Sequence, residues 1–177
     1  MELNRLMFRE YDIRGIWNED ITEEISYDIG RAYATKLLSL KKNKMIVGYD
    51  NRLSSPIIEK NLVKGLTDGG VDVVRLGLVT TPMYYYAWDK LNIHCGIMIT
   101  ASHNPKEYNG FKMSYNGIHN CFGNEVAELY YIILNGIYSK GNGSITDANI
   151  KEDYIKMINS HINMGSNKLK VIYDCGN

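Results

Sequence analysis

Between Thr22 and Ser114, short apolar runs alternate with stretches of helical period, and that alternation leaves the chain few folds to adopt. Met45–Tyr49, Val71–Gly77 and Cys95–Ile99 are brief apolar runs bounded by polar residues, the pattern of buried strands. Between them lie three helical stretches. Thr22-Glu23-Glu24 offers a cap and an acidic first turn, after which Ile25, Ile29, Ala32, Tyr33 and Leu37 recur at helical spacing. Ser55-Pro56 opens the second, with serine at the cap and proline at the first helical position. Ile58, Leu62 and Leu66 form its buried stripe, and Asp68-Gly69-Gly70 stops it. Thr81-Pro82 repeats the cap-then-proline signal for the third. Gly110–Ser114 is a short alternating segment, close enough behind its predecessor to turn back antiparallel. The expected fold is α/β: a three-layer α/β/α sandwich on a mixed, mostly parallel sheet with one antiparallel edge strand.

Beyond Asn116 the pattern weakens. Glu125–Leu134 and Asn149–Ile162 read as helices, Ser139–Ser144 as a Gly/Asn/Ser linker, and Lys168–Asn177 as a new strand without its crossover helix. The expected division is one domain over residues 1–140, followed over 141–177 by a linker, a helix and the first strand of a truncated second domain. Tyr84, Tyr85, Tyr86 and Trp88 on the third helix read as packing residues, since no basic groove accompanies them to make a stacking platform.

Composition narrows the partners. Basic and acidic residues number 20 each, so no global field recruits nucleic acid or an acidic membrane. No apolar run is long enough to span a bilayer. Met1-Glu2-Leu3-Asn4-Arg5 lacks the apolar core of a signal peptide, and Lys41-Lys42-Asn43-Lys44 reads as a solvated loop. Three widely spaced cysteines, Cys95, Cys121 and Cys175, form no CxxC pair and point to a reduced, cytoplasmic protein without structural zinc.

Three polar segments carry chemistry. Thr100-Ala101-Ser102-His103-Asn104-Pro105 follows a buried strand, and Asn104-Pro105 punctuates the chain there. Ser102 and His103 are thereby presented at a strand mouth. Adjacent side chains on extended backbone point to opposite faces, so His103 need not serve as the base of Ser102. Tyr108-Asn109-Gly110-Phe111-Lys112 places an ammonium group where it could return to the same mouth. Hydroxyl, imidazole and ammonium together suit phosphoryl or acyl transfer. The second segment, Phe8-Arg9-Glu10-Tyr11-Asp12-Ile13-Arg14-Gly15, is either a surface ion-pair network or a loop from which Arg14 presents its planar donor fork to a phosphate. The third, Gly48–Pro56, lies at the carboxyl end of a strand and the start of a helix, where ligands of open α/β sheets bind. Ser54 and Ser55 are explained there as caps. Arg52 either pins the loop through Asp50 or contacts a ligand. No GxGxxG, Walker A loop or HExxH is present, and no GxSxG surrounds Ser102, which disfavours a serine hydrolase.

Taken together and in order, Phe8–Gly15, Gly48–Pro56, Thr100–Pro105 and Tyr108–Lys112 resemble the α-D-phosphohexomutase superfamily, most closely its phosphomannomutase/phosphoglucomutase branch. The phosphoglucosamine mutase branch resembles this chain less, favouring a Gly-Thr-Asp-Gly opening and serine in place of Thr100. The resemblance implies an isomerase that interconverts hexose 1-phosphate and hexose 6-phosphate through a phosphoserine at Ser102 and a hexose 1,6-bisphosphate intermediate. It implies proton handling and electrostatic support by His103 and Lys112, stabilisation of the phosphoryl group by Arg14, and a substrate border at Tyr11. It also implies a Mg²⁺ ion that meets this chain only at Ser102, through its phosphate, the remaining ligands belonging to an aspartate-rich loop of a second domain. Domains two to four, which the resemblance implies for the same chain, would then be the partners of this one, with a phosphorylated hexose as substrate and oligomerisation left open. These 177 residues alone are expected to be inactive. The alternative is a non-catalytic domain that uses the same cationic loop to bind phosphorylated ligands or a partner chain.

Overall fold

The computed structural model describes residues 3–117, 119–163, 165–166 and 168–174. After a single 3₁₀ turn at Arg5–Met7, the elements run β1 (Ile13–Ile16), α1 (Glu23–Ser39), β2 (Lys44–Tyr49), α2 (Ser55–Asp68), β3 (Asp72–Leu78), α3 (Thr81–Lys90), β4 (Gly96–Ile99), β5 (Tyr108–Ser114), α4 (Asn124–Asn135), β6 (Ile145–Asp147) and α5 (Lys151–His161). The strands form one sheet in the order β1-β5-β4-β2-β3-β6. Pairings β4–β2, β2–β3 and β3–β6 are parallel, whereas β5 runs antiparallel to both β4 and β1.

Alternation along the strands sorts the core into two halves. Met45, Val47, Ile97, Ile99, Phe111 and Met113 face a layer built by α1, α2 and α4. Ile46, Val74, Leu76 and Met98 face α3 and the start of α5. The α/β/α sandwich is therefore as expected, with one difference. The antiparallel strand, β5, is second from the edge, because β1 pairs outside it along Ile13–Ile16. The polar segment Phe8–Gly15 thus supplies most of the edge strand itself.

Local signals held with small offsets. The Thr22 side chain accepts from the Ile25 amide at the start of α1. At α2 the cap position is Ser54, which makes no side-chain capping bond, and at α3 it is Thr80, which accepts from the Met83 amide. Each proline falls in the first turn as the pattern requires. Helices α1 and α2 meet through glycines: a Cβ on Gly65 would lie 2.1 Å from the Tyr27 carbonyl oxygen, and one on Gly30 would lie 2.3 Å from that of Leu62. Tyr84 and Trp88 are buried between α3 and the sheet, in edge contact with each other. Lys42, expected to be solvated, donates to the Tyr115 carbonyl.

The sheet continues past residue 140. Residues Ile145–Asp147 add β6 beside β3, and Arg75 of β3 grips Asp147 through two hydrogen bonds of 2.8 and 3.2 Å. The turn-rich composition before Ile145 concealed this three-residue strand. Ile150 is buried, and α5 is tied to α3 by the Lys90–Asp153 ion pair and by the edge contact of Tyr86 with Tyr154. Residues 168–174 form no strand, contrary to the sequence pattern. A strand needs a neighbour to satisfy its backbone, and this stretch has none in the sheet. Residues 175–177, including Cys175, lie outside the described residues. Cys95 and Cys121 are free and buried.

Candidate functional site

The carboxyl ends of β2 and β4 open into one cleft of about 1110 Å³, lined by Asp50, Arg52, Leu53, Ser102, His103 and Asn104, with Trp17 and Glu19 on its far wall. Ser102 stands three residues past the end of β4 with its backbone in the left-handed region, at φ 57°. For a residue with a Cβ this conformation costs about 1–2 kcal/mol. The loop holds it by both backbone groups. The Ser102 amide donates to Thr100 Oγ1 at 2.9 Å, and the Ser102 carbonyl accepts from Arg52 at 3.2 Å. The side chain is left exposed. Because the backbone turns here instead of extending, the neighbouring ring is not on the opposite face: Ser102 Oγ lies 3.3 Å from His103 Nδ1.

Arg14 reaches this loop from the sheet's edge. Its Nη1 donates to Asn104 Oδ1 at 2.7 Å, while Nε and Nη2 hold Asp12 at 2.8 and 2.7 Å. A guanidinium carries five N–H donors; with three engaged, two remain for another acceptor. Gly110 makes this possible. A Cβ there would lie 2.3 Å from the Ile13 carbonyl oxygen and 3.0 Å from Arg14 Cγ.

Lys112 lies on the same face of the sheet as Arg14. Arg14 pairs across the ladder with Gly110, two positions before Lys112, and alternation puts all three opposite Phe111 and Met113. Among the described residues Lys112 makes no hydrogen bond or ion pair, which leaves its charge free. Tyr11 is 68% exposed beside Asp12. The structure therefore brings Ser102, His103 and Arg14 to one loop and sets Lys112 on Arg14's face. Arg14, Lys112 and Tyr11 do not line the cleft that Ser102 and His103 share with Arg52.

Arg52 makes a different use of its donors. Nη1 bonds the carbonyls of Pro105 and Tyr108 at 2.6 and 2.9 Å, Nη2 those of Asn104 and Ser102 at 2.7 and 3.2 Å, and Nε holds Asp50 at 3.3 Å. All five are occupied, so of the two readings of Arg52 the loop pin is the one observed. Ser54 and Ser55 are not explained as caps either. Asn109 donates to both hydroxyls, at 2.8 and 3.0 Å, and Ser55 donates to Asp50 at 2.7 Å. Asn109 and Ser55 are fully buried. Sequence reasoning missed Asn109, Thr100 and Asn104 as organisers of the loop. The available signal was Asn109, a polar residue at a core-facing position of an alternating strand, where burial demands hydrogen-bond partners.

This chain on its own offers a metal at most one point of contact, the Ser102 oxygen once it carries a phosphate. No group of three His, Cys, Asp or Glu side chains that could hold a cation occurs among the described residues. Of the carboxylates near the loop, Asp12 and Asp50 are committed to arginines, while Glu19 and Glu107 stand on the cleft wall. Likewise, no helix among the described residues is long and apolar enough to cross a membrane.

The profile of one family, described as phosphoglucomutase/phosphomannomutase, alpha/beta/alpha domain I, matches residues 5–136. The chain belongs to the phosphoglucomutase/phosphomannomutase family. It is 42% identical over 172 residues to the phosphomannomutase/phosphoglucomutase of Pseudomonas syringae pv. tomato, an alignment covering 97% of this chain and 36% of the relative. Identity to the phosphoglucomutase of Neisseria meningitidis serogroup B is 39% over 175 residues, 98% of this chain and 38% of that protein. A crystal structure of a phosphoglucomutase/phosphomannomutase family protein from Burkholderia thailandensis superposes with a TM-score of 0.86 at 31% identity, over 91% of this chain and 37% of the other. The chain thus spans little more than a third of the length of these relatives, with the domain I profile over residues 5–136 and the alignments continuing beyond it.

Proposed function

We propose that this chain is the N-terminal part of a phosphohexomutase that interconverts the 1- and 6-phosphates of mannose, glucose or both. Ser102 is the phosphoryl carrier. In the first half-reaction the bond between Ser102 Oγ and phosphorus breaks, and a bond from phosphorus to a sugar hydroxyl oxygen forms, giving the hexose 1,6-bisphosphate. The proton of that hydroxyl passes to a neighbouring base, for which His103 is the candidate. In the second half-reaction the bond from the other phosphorus to its sugar oxygen breaks, a bond from that phosphorus to Ser102 Oγ forms, the base returns its proton to the freed sugar oxygen, and the isomeric monophosphate leaves.

The observation that carries this reading is the setting of Ser102: an exposed hydroxyl on a loop gripped through its backbone, with an imidazole 3.3 Å away and an arginine with two free donors bonded to the same loop. Phosphoryl transfer depends on in-line placement and charge stabilisation. Arg14 supplies guanidinium donors to the three phosphoryl oxygens, Lys112 adds a mobile cation on the same face, and Tyr11 borders the sugar. Ser102, through its phosphate, would be this chain's contact to a Mg²⁺ ion, which would supply charge neutralisation there. Further domains of the same chain would supply its remaining ligands and the sugar contacts, which accords with the greater length of the relatives.

The test is to incubate the complete protein with hexose 1,6-bisphosphate labelled in its phosphates, map the label by peptide mass spectrometry, and assay turnover of glucose and mannose 1-phosphate. Label on Ser102 with turnover of either sugar is expected. A labelled protein without turnover would favour the non-catalytic phosphate-binding alternative, and label elsewhere would remove Ser102 from the mechanism.

A further inference from the structure

We infer that Arg52 is the positioning residue of the Ser102 loop: it touches no reacting atom, and its guanidinium fixes the direction in which the serine hydroxyl points. The inference rests on the reading of Ser102 as the phosphoryl carrier.

The loop from Thr100 to Tyr108 has few backbone bonds of its own. Asn104 N–H donates to Ala101 O and Tyr108 N–H to Pro105 O, at 3.1 and 3.0 Å. Four carbonyls of this loop, those of Ser102, Asn104, Pro105 and Tyr108, instead converge on one side chain from another strand–helix junction. Arginine alone can do this, because its five donors are planar and rigidly spaced, whereas an ammonium is a compact point with three. The guanidinium is itself held. Asp50 takes Nε, the same carboxylate accepts from the Arg52 amide at 3.1 Å and from Ser55, and Ser55 in turn accepts from buried Asn109 of β5. A continuous polar chain therefore runs from β5 through the start of α2 and the end of β2 into the loop.

The strained backbone of Ser102 explains why such a clamp is needed. A left-handed serine relaxes toward extended or right-handed backbone unless its surroundings over-determine it. Either change would swing Cβ, and with it Oγ, away from His103 and from the face of Arg14. Misplacement of a reacting atom by about 1 Å can cost roughly 10²-fold in rate. With every guanidinium donor occupied, Arg52 has none left for a substrate phosphate, so its loss should act on the chemical step and not on affinity.

Two measurements on Arg52→Lys test this. In the 177-residue chain, amide hydrogen exchange at Ser102, Asn104 and Tyr108 should accelerate about tenfold or more, while amides in the middle of α1 and β2 keep their protection. In the complete protein, kcat should fall about 10²-fold, with KM for the hexose phosphate within about twofold of wild type. A raised KM at unchanged kcat would make Arg52 a ligand contact and overturn the inference, as would loop exchange identical to wild type. Should Arg52→Lys fail to fold, Asp50→Asn loosens the same guanidinium through Nε; loop exchange accelerated there upholds the clamp, and unchanged exchange overturns it. A wild-type complete protein without turnover would sink the mutase reading, and the exchange experiment would still decide whether Arg52 holds the loop.

Discussion

Arg14 and Asn104 stand 90 positions apart in the chain and share a hydrogen bond of 2.7 Å. That bond joins the edge strand to the serine loop and orients the donors that Arg14 has left. Hydrogen bonds to a charged group contribute about 1.5–3 kcal/mol, and each 1.4 kcal/mol is a factor of ten. Asn104→Ala in the complete protein should therefore lower kcat by about 10–100-fold, and Arg14→Ala by more. Steady-state kinetics on both variants checks the order. Equal activity of Asn104→Ala and wild type would mean that Asp12 alone aims the arginine.

Ser102→Ala should abolish mutase turnover and phosphoryl labelling without changing the fold. Alanine has a Cβ like serine, and it keeps the backbone contacts that hold residue 102, losing only the exposed Oγ contact to His103. Circular dichroism and thermal midpoint should match wild type while the coupled assay reads background. Near-normal turnover would assign the phosphoryl carrier to another residue.

Much of the sandwich could be read from the sequence because it is built from local signals. Thr22, Pro56 and Pro82 mark helix starts, and the runs at residues 45–49 and 95–99 match β2 and β4 almost residue for residue. Ser102, Arg14 and Lys112 stand out in the sequence through the motifs that hold them, and the structure joins Arg14 to the Ser102 loop. What could not be read is long-range. β6 is three residues long and exists only because β3 offers it an edge. The expected strand beyond Lys168 has the right residues but no partner in the sheet. Arg52 looked ambiguous because its role consists of four carbonyls 50 to 56 positions away, and a carbonyl leaves no mark in a sequence. His103 was separated from Ser102 by the rule for extended backbone, which the left-handed turn suspends.

Gly65→Ala tests the contact between α1 and α2. Alanine would gain about 1 kcal/mol of helix propensity over glycine. Its Cβ would nevertheless stand 2.1 Å from the Tyr27 carbonyl oxygen, a backbone atom that cannot step aside. Overpacking of this kind costs about 1–3 kcal/mol, and separating the helices would also unpack Leu62 and Ile29. The clash should outweigh the propensity and lower the thermal midpoint by a few degrees or more. A midpoint above wild type would show that the helices can part without loss.

Alkaline pH should destabilise the fold. Burial pushes the Cys121 thiol from its ordinary 9.0 up to about 12, with Glu125 adding to the effect. The unfolded chain releases this proton near pH 9 while the folded chain keeps it. The stability is thus fully present below pH 9 and is lost as pH rises toward 12, at about 1.4 kcal/mol per pH unit for one group. Buried Tyr33, Tyr84 and Tyr115, all held well above their ordinary 10.0 by burial, add to the loss above pH 10. Urea midpoints measured from pH 8 to 10.5 should fall with pH, and Cys121→Ala should fall less between pH 9 and 10. Parallel curves for the two proteins would detach Cys121 from the alkaline transition.

The 177-residue chain by itself should show no appreciable mutase activity, even with Mg²⁺ and a hexose 1,6-bisphosphate activator. Holding an acceptor hydroxyl in line with its donor can supply about 7–11 kcal/mol of barrier reduction. The groups at the Ser102 loop are suited to a phosphoryl group: two free donors on Arg14 and the His103 ring, with the Lys112 ammonium on Arg14's face of the sheet. On this chain the cleft is walled by Glu19, Asn51, Asn104, Lys106 and Glu107 on one open side, the walls that would close over a sugar are expected from further domains, and Asp12 and Asp50 are spent on arginines. Charge stabilisation without positioning leaves most of the barrier in place. A coupled assay on the purified chain decides the matter, with the Ser102→Ala variant as the control for host contamination. Serine-dependent turnover near the ~1–10³ s⁻¹ typical of enzymes would mean that the open cleft beside Trp17 and Leu53 is itself a sugar site, and that the further domains serve another purpose.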